Sequence, residues 1–371
     1  WVTINREMRA GELHELRQGH PVLVAAIGGM TIPARLYRGF NSNETSGRGW
    51  GIPMATDSAF ALGVLMLLGN RVPQGLKAFL LAYAIIDDLG AILVIALFYT
   101  ETLNTTYLAA GGLCLAWLVG CNVIGLRHIS IYLGIGLLIW MMLIGAGVHG
   151  TVAGVLVALA VPARAKRGHR WFLKRTRRLV KEIDKQSNKN NADEILANPD
   201  QHKAVEAVEQ AAKQATTPLQ RWERSLELPV LWLILPLFGL ANAGIPLTAD
   251  LLGELISTPL AWGIVGGLVV GKTLGISSFT WLAIRLAWGR LPDRTTMSHI
   301  VGLALLGGMG FTMSIFIAGL TFSHEHDLYL AKAAVLIASL FSGIAGYLWL
   351  RFSPSTANAA TALKNNQPGN E

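Results

Sequence analysis

Charged residues are scarce in this sequence: Lys, Arg, Asp and Glu make up 15% of its 371 residues, whereas soluble domains typically carry about 25%. Cysteine is scarcer still, with Cys114 and Cys121 alone. These two lie on one apolar segment, roughly 10 Å apart if it is helical, which is too far for a disulfide. The composition therefore excludes a disordered chain, a disulfide scaffold and a cytosolic enzyme.

The charges that are present are concentrated in one stretch. Residues 163–228 hold 24 of the chain's 54 charged residues, and 15 of these are Lys or Arg. Most of the remaining chain consists of apolar runs long enough to cross a hydrocarbon core of about 30 Å. We therefore predict a polytopic membrane protein with a basic, amphipathic insertion. A helix lying on anionic lipid and a solvated cytoplasmic connector are the two interpretations of this insertion. Nucleic-acid binding is not expected, because the other basic residues flank apolar spans.

Ten apolar runs qualify as spans, and they lie at 20–37, 51–69, 75–99, 105–124, 130–146, 148–163, 229–246, 258–284, 299–321 and 328–350. Lys and Arg concentrate in alternate loops, so the positive-inside rule predicts that both chain ends are cytoplasmic. The predicted organisation is six spans in 1–162, the cytoplasmic insertion 163–228, four spans in 229–351 and a disordered tail 352–371. Because the sequence opens with a polar segment and no initiator Met, we expect the natural N-terminus to lie upstream.

Ionisable side chains inside the spans are few, and each costs about 2.5–3.5 kcal/mol on insertion scales. They are Asp57, Asp87, Asp88, His149 and Lys272. Asp87 and Asp88 are neighbours and would point about 100° apart on a helix, so we expect them to face different partners. Lys272 lies midway along its run, which favours pairing with Asp87 or Asp88 over reaching the membrane surface.

Two spans contain residues that weaken a helix. In 51–69 they are Pro53, Thr56 and Asp57, and in 299–321 they are Gly307, Gly308 and Gly310. Two interrupted spans are typical of inverted-repeat transporters. Opposed half-helix ends leave partial charges in mid-membrane, and Asp57 and Lys272 are the candidates to neutralise them. A glycine-lined packing seam is the alternative interpretation of the three glycines.

Five segments closely resemble the NhaA family of bacterial sodium/proton antiporters: ATDSAFALG, AIIDDLGAI, LPLFGLANAG, GKTLGIS and GMGFTMSIFIAGL. The resemblance implies an all-α polytopic membrane protein with the NhaA-type inverted repeat and two interrupted, crossing transmembrane helices. It also implies the bacterial inner membrane. Family members have twelve spans, so we expect that the first two precede this sequence. The hairpin between those two supports the family's dimer contact, which leaves a homodimer undecided here.

The resemblance also implies roles for individual residues. Asp88 matches the main cation-binding carboxylate, Asp87 its neighbour that pairs with Lys272, and Thr56 an oxygen donor beside the site. Asp57 matches the acid that balances the half-helix dipoles, and Gly308 and Gly310 match the second interrupted helix. A set of charged or titratable residues matches positions linked to pH response: Arg6, Glu7, His149 and Glu223.

The function that we predict is pH-regulated export of Na⁺ or Li⁺ in exchange for protons, by alternating access and without a cofactor. Cation and protons would compete at Asp88 and Asp87. Three alternatives stay open. One is a truncated, non-transporting paralogue, and another is an exchanger that prefers K⁺. The third is an intramembrane aspartyl protease using Asp57 and Asp88, although the sequence has no GxGD motif.

Overall fold

A computed structural model describes the chain as helical, without strands in the described residues. Those residues are 16–99, 103–126, 128–148, 150–161, 168–187, 199–216, 225, 228–242, 244 and 249–353. They form two compact units. One unit combines the described parts of Thr3–Glu101 and Pro236–Glu371, and the other is formed by those of Thr102–Leu235. The described part of the insertion predicted at 163–228 thus belongs to the same unit as the three spans predicted between 105 and 163.

The first unit begins with α1 (Leu16–Phe40), α2 (Glu44–Gly47) and a 3₁₀ helix (Arg48–Met54), followed by α3 (Ser58–Leu67), a 3₁₀ turn (Gly69–Arg71) and α4 (Gln74–Phe98). Its second part contains α10 (Leu235–Asn242), α11 (Ala249–Ser257), α12 (Pro259–Gly266), a π-helix (Gly267–Gly271), α13 (Lys272–Arg285), α14 (Met297–Gly307), α15 (Phe311–Thr321) and α16 (Glu325–Phe352).

The second unit contains α5 (Thr105–Ile124), α6 (Ile129–Gly145), α7 (Gly150–Ala160), α8 (His169–Ser187) and α9 (Pro199–Ala215), followed by a π-helix (Val230–Ile234). Helix α5 begins where the Asn104 side chain accepts from the backbone N–H groups of Thr106 and Tyr107. It ends at Gly125, whose φ of 85° lies in the left-handed region that favours glycine. The bounds of α5 agree closely with the predicted span 105–124.

Several helices in the described part of the chain have the length and hydropathy of a membrane span. They are Arg48–Leu67, Gln74–Phe98, Thr105–Ile124, Pro259–Arg285 and Glu325–Phe352, and the pair Met297–Gly307 and Phe311–Thr321 forms a sixth when read as one span bent by 44°. Helices α6 and α7 are also apolar but shorter. An all-α polytopic membrane protein is therefore confirmed.

The described part of the insertion contains two helices, α8 and α9, which pack against each other. On α8, Leu179 is buried and Val180 is half exposed. A groove of about 400 Å³ runs between the two helices and is lined by basic side chains of α8 and small or amide side chains of α9.

Two buried clusters form the core of the first unit, and both involve α1 and the helices around Lys272. Helix α1 packs most extensively against α13. Their backbones touch at Gly28 and Gly275, since a Cβ atom added to either glycine would collide with the carbonyl oxygen of the other. Small residues that permit such close approach are typical of helix interfaces in membranes.

This backbone contact generates a stability prediction. Gly275→Ala should push α13 away from α1 and lower the midpoint of thermal unfolding in detergent by at least about 5 °C, because neither backbone can yield. Gly319→Ala is the matched control, since no atom lies within 4 Å of its added Cβ and alanine is the better helix former. Equal midpoints for the two variants would contradict this interpretation of the contact.

Candidate functional site

The first interrupted span is broken over three extended residues. The 3₁₀ helix that contains Pro53 ends at Met54, and α3 starts at Ser58. Proline removes a backbone donor, and the side chains of Thr56 and Asp57 bond to backbone groups instead of extending the helix. All residues from Gly51 to Asp57 are buried, so the groups freed by the break need partners inside the protein.

The second interrupted span supplies those partners. It is broken between Gly307 and Phe311, and the two breaks are in contact. The Thr56 hydroxyl donates to the Gly307 carbonyl oxygen at 2.8 Å, and the Asp57 backbone N–H donates to the Met309 carbonyl oxygen at 2.6 Å. The two interrupted helices therefore cross at their breaks.

The Asp57 carboxylate lies at the N-termini of two half-helices. One oxygen accepts from the Phe60 backbone N–H at 3.3 Å in α3. The other accepts from the Thr312 backbone N–H at 3.1 Å and also from the Thr312 hydroxyl, both in α15. Because helix N-termini carry partial positive charge, one negative side chain compensates both.

The opposite half-helix ends are served by hydroxyl groups. Thr56 bonds the Gly307 carbonyl oxygen at the end of α14, and Ser314 donates to the Ile52 carbonyl oxygen near the end of the 3₁₀ helix at 2.7 Å. We expected Lys272 to neutralise these ends. Its hydrogen bonds go instead to Asp87 and Tyr83, because two nearby hydroxyls already satisfy the carbonyl oxygens.

The three glycines of the second break permit close packing as well as the bend. A Cβ on Gly308 would lie 2.5 Å from the Leu268 carbonyl oxygen, and one on Gly307 would lie 2.7 Å from the Ile276 side chain. A Cβ on Gly310 would collide with Ser314. The two interpretations of these glycines, a broken helix and a packing seam, therefore apply together.

Lys272 and Asp87 form a completely buried ion pair. The Lys272 ammonium nitrogen lies 2.8 Å and 3.0 Å from the two Asp87 carboxylate oxygens, and both side chains are 0% exposed. Asp87 comes from α4, and Lys272 is the first residue of α13 after the π-helix. The structure thus brings together two of the charged residues singled out in the sequence.

Tyr83 is a third member of this group that the sequence analysis missed. Its hydroxyl accepts from Lys272 at 3.0 Å and donates to Asp87 at 3.2 Å, and the Thr56 hydroxyl lies close to it. Tyr83 precedes Asp87 by four residues, so both lie on the same face of α4. That spacing is the signal that was available in the sequence.

Asp88 points away from the ion pair, as expected for helix neighbours. It is partly exposed, whereas Asp87 is buried. Its carboxylate interacts with the hydroxyl of Ser58, the first residue of α3, and with the charge of Asp57. Asp88 therefore faces the break of the first interrupted span, where carboxylate and hydroxyl oxygens suit a small hard cation.

The residues predicted to set the pH response are Arg6, Glu7, His149 and Glu223, and all four lie outside the described residues. The described site consists of Asp88, Asp87, Lys272, Thr56 and Asp57.

A helical membrane fold with two interrupted spans crossing at buried carboxylates is typical of ion transporters rather than enzymes. Residues 2–350 match the family described as Na⁺/H⁺ antiporter 1. The chain belongs to this family.

Individual relatives are similar to this sequence over most of its length. A Na⁺/H⁺ antiporter NhaA 1 of Saccharophagus degradans is 45% identical over 350 residues, covering 94% of this chain and 75% of the relative. A protein of the same description from Shewanella denitrificans is 42% identical, covering 96% and 79%. A Na⁺/H⁺ antiporter NhaA of Sulfurimonas denitrificans is 41% identical, covering 96% and 80%.

The shared cap predicts that Asp57 holds the crossing together. Asp57→Ala should lower the thermal midpoint in detergent more than Asp57→Asn, because alanine leaves three donors without an acceptor. The two on Thr312 are buried, and each buried donor without a partner costs about 1–3 kcal/mol. Thr280→Ala is the control, since its buried hydroxyl bonds only within its own helix. A midpoint for Asp57→Ala no lower than that of the control would show that the cap is not needed.

The buried ion pair predicts an asymmetric double-mutant cycle. Lys272→Met should be strongly destabilising, by about 3–5 kcal/mol, because it leaves a buried carboxylate unpaired. Adding Asp87→Asn should restore much of the yield and thermal midpoint, since neither charge then remains. Lys77→Met, at an exposed lysine, should change little. Additive losses in the double variant would argue against the pairing.

Proposed function

We propose that this chain is a secondary active transporter that exports Na⁺ or Li⁺ in exchange for protons. Membership of the Na⁺/H⁺ antiporter 1 family supports this, as do the names of the relatives. The observation that carries the proposal is the division of labour among three carboxylates. Asp57 caps two half-helices and Asp87 is paired with Lys272, which leaves the partly exposed Asp88 for the transported ion.

The exchange chemistry is competition for the same oxygens. A carboxylate binds either a proton or a hard cation, so proton binding at Asp88 releases Na⁺, and Na⁺ binding releases the proton. Asp87 is the second carboxylate of the cycle. When a proton or the cation occupies it, its hold on Lys272 is lost, and α4 and α13 are free to change their relative position. The proton gradient then supplies the energy, so that no cofactor takes part.

The half-helices provide the moving parts in this proposal. Thr56 lies beside the crossing. Its hydroxyl oxygen offers lone pairs to the cation, while its O–H group continues to donate a hydrogen bond to the Gly307 carbonyl oxygen. Alternating access would expose Asp88 to one side of the membrane and then to the other. We place the protein in the bacterial inner membrane with both ends cytoplasmic, and we assign pH regulation to Arg6, Glu7, His149 and Glu223.

An aspartyl protease is a weaker explanation of the same acids. That chemistry needs two carboxylates sharing one water. Both Asp57 oxygens are already bonded to Phe60 and Thr312. The residue is therefore committed to the crossing instead of to a catalytic dyad.

Asp88→Asn tests the transport proposal directly. Everted vesicles from a strain without its own antiporters would be acidified by respiration, and Na⁺, Li⁺ or K⁺ then added. We expect Na⁺ and Li⁺ to collapse the pH gradient with the wild type and not with Asp88→Asn. Asp293→Asn, an exposed residue outside the spans, should behave like the wild type.

Three results would overturn the proposal. A silent wild-type protein, with correct insertion verified, would identify a non-transporting paralogue. Collapse by K⁺ alone would exclude sodium as the physiological cation. Full exchange by Asp88→Asn would remove Asp88 from the site.

A further inference from the structure

The Lys272 ammonium needs hydrogen-bond partners throughout the exchange cycle. During exchange Asp87 must give up part of its hold on Lys272, but the ammonium is 0% exposed. A buried ammonium without a hydrogen-bond partner is strongly unfavourable. While Asp87 is occupied, a Lys272 that keeps its proton therefore needs another group to hold it.

The Tyr83 hydroxyl has the geometry for that task. It lies 3.0 Å from the Lys272 ammonium nitrogen and accepts from it. Lys272 also lies 5.6 Å from the centre of the Tyr83 ring, within the range of a cation–π attraction. Both contacts join Lys272 to Tyr83 directly and do not run through the Asp87 carboxylate.

Tyr83 is also held in place from several sides. The phenol donates to Asp87. Thr56 lies beside it and donates to the Gly307 carbonyl oxygen at the crossing. The missing side chain of Gly29 on α1 provides the space for the hydroxyl, because a Cβ there would lie 2.5 Å from the Tyr83 oxygen. The hydroxyl is thus built into the structure at a position shared by three helices.

We propose that Tyr83 is a positioning residue of the exchange cycle, which holds Lys272 when Asp87 is protonated or binds the cation. This inference rests on the proposed antiport. Tyr83 does not bind the transported ion; it stabilises the state in which the ion is bound. Losing the hydroxyl should therefore favour the ion-paired state over the cation-bound state.

The charged groups around Tyr83 and Lys272 define what a pH profile would report. Among the described residues they are Asp87 and Asp88, both on α4, and Asp57 acts on Asp88. Helix α1 approaches the Tyr83 hydroxyl at the uncharged Gly29. A shift caused by the loss of the hydroxyl therefore originates in the competition between protons and cation at the two aspartates.

Tyr83→Phe in proteoliposomes tests the proposal. The ring stays, so we expect normal insertion and Vmax within about twofold of the wild type. The apparent KM for Na⁺ should rise about tenfold, since the loss of a hydrogen bond to a charged group weakens binding by about a factor of ten or more. At a fixed, low Na⁺ concentration the pH of half-maximal exchange should move to a more alkaline value. A cation that binds more weakly displaces protons from the aspartates only when the proton concentration is lower.

Tyr37→Phe is the matched control. Tyr37 is also fully buried, but its hydroxyl donates to the Ser46 carbonyl oxygen far from Lys272 in the sequence. An increase in KM of the same size in both variants would reduce Tyr83 to an ordinary buried tyrosine. A fall in Vmax with unchanged KM and pH profile would also overturn the proposal.

Gly29→Ala provides a second route to the same group. Its methyl group displaces the Tyr83 hydroxyl without removing it, so KM should rise in the same direction. In the Tyr83→Phe background the methyl fills vacated space, and Gly29→Ala should then add little. Fully additive effects would contradict the model of a shared position.

The wild type and Asp88→Asn, measured in parallel, separate the two levels of the proposal. If the wild type exchanges Na⁺ for protons and Asp88→Asn does not, while Tyr83→Phe equals the wild type, antiport stands and the role of Tyr83 is wrong. If the wild type itself is inactive, the proposed function fails, whatever the variants do.

Discussion

The organisation of this protein depends on one requirement: a helix that is broken inside a membrane must find partners for its exposed backbone groups. Here each interrupted span satisfies the other. Asp57 serves two N-termini, and the hydroxyls of Thr56 and Ser314 serve the opposite ends. Gly308 allows the second break to approach the Leu268 carbonyl oxygen closely. The same groups that stabilise the crossing therefore keep polar backbone next to Asp88.

The need to satisfy the broken helices also determines which group each charged side chain of the site binds. The three aspartates of the site each have a different environment. Asp57 is used by the half-helix ends, and Asp87 is used by Lys272. Asp88 has weaker partners and partial exposure, as a site that repeatedly binds and releases an ion requires. Adjacent aspartates thus acquire separate functions because a helix turns them to different neighbours.

The features that could be predicted from the sequence are the residues that are unusual in a regular apolar helix. Pro53, Asp57 and the glycines around 308 marked both breaks, and the burial of Lys272 made a carboxylate partner necessary. Thr312 and Ser314 could not be predicted in the same way, because hydroxyl residues are common in apolar helices and the partners of these two come from distant segments. For Tyr83 the one signal was its four-residue spacing from Asp87. The contact between α1 and α13 was equally hidden, since Gly28 and Gly275 are only two of forty glycines.

That backbone contact has a mechanical consequence. Where Gly28 and Gly275 meet, the two backbones are in direct contact, so a change of side-chain rotamer cannot absorb a displacement between them. A shift of α13 at this point must therefore displace α1 as well. Lys272 is the first residue of α13, so a rearrangement that moves its backbone is mechanically coupled to a 25-residue helix. A displacement of α13 would thereby become a displacement of the whole of α1.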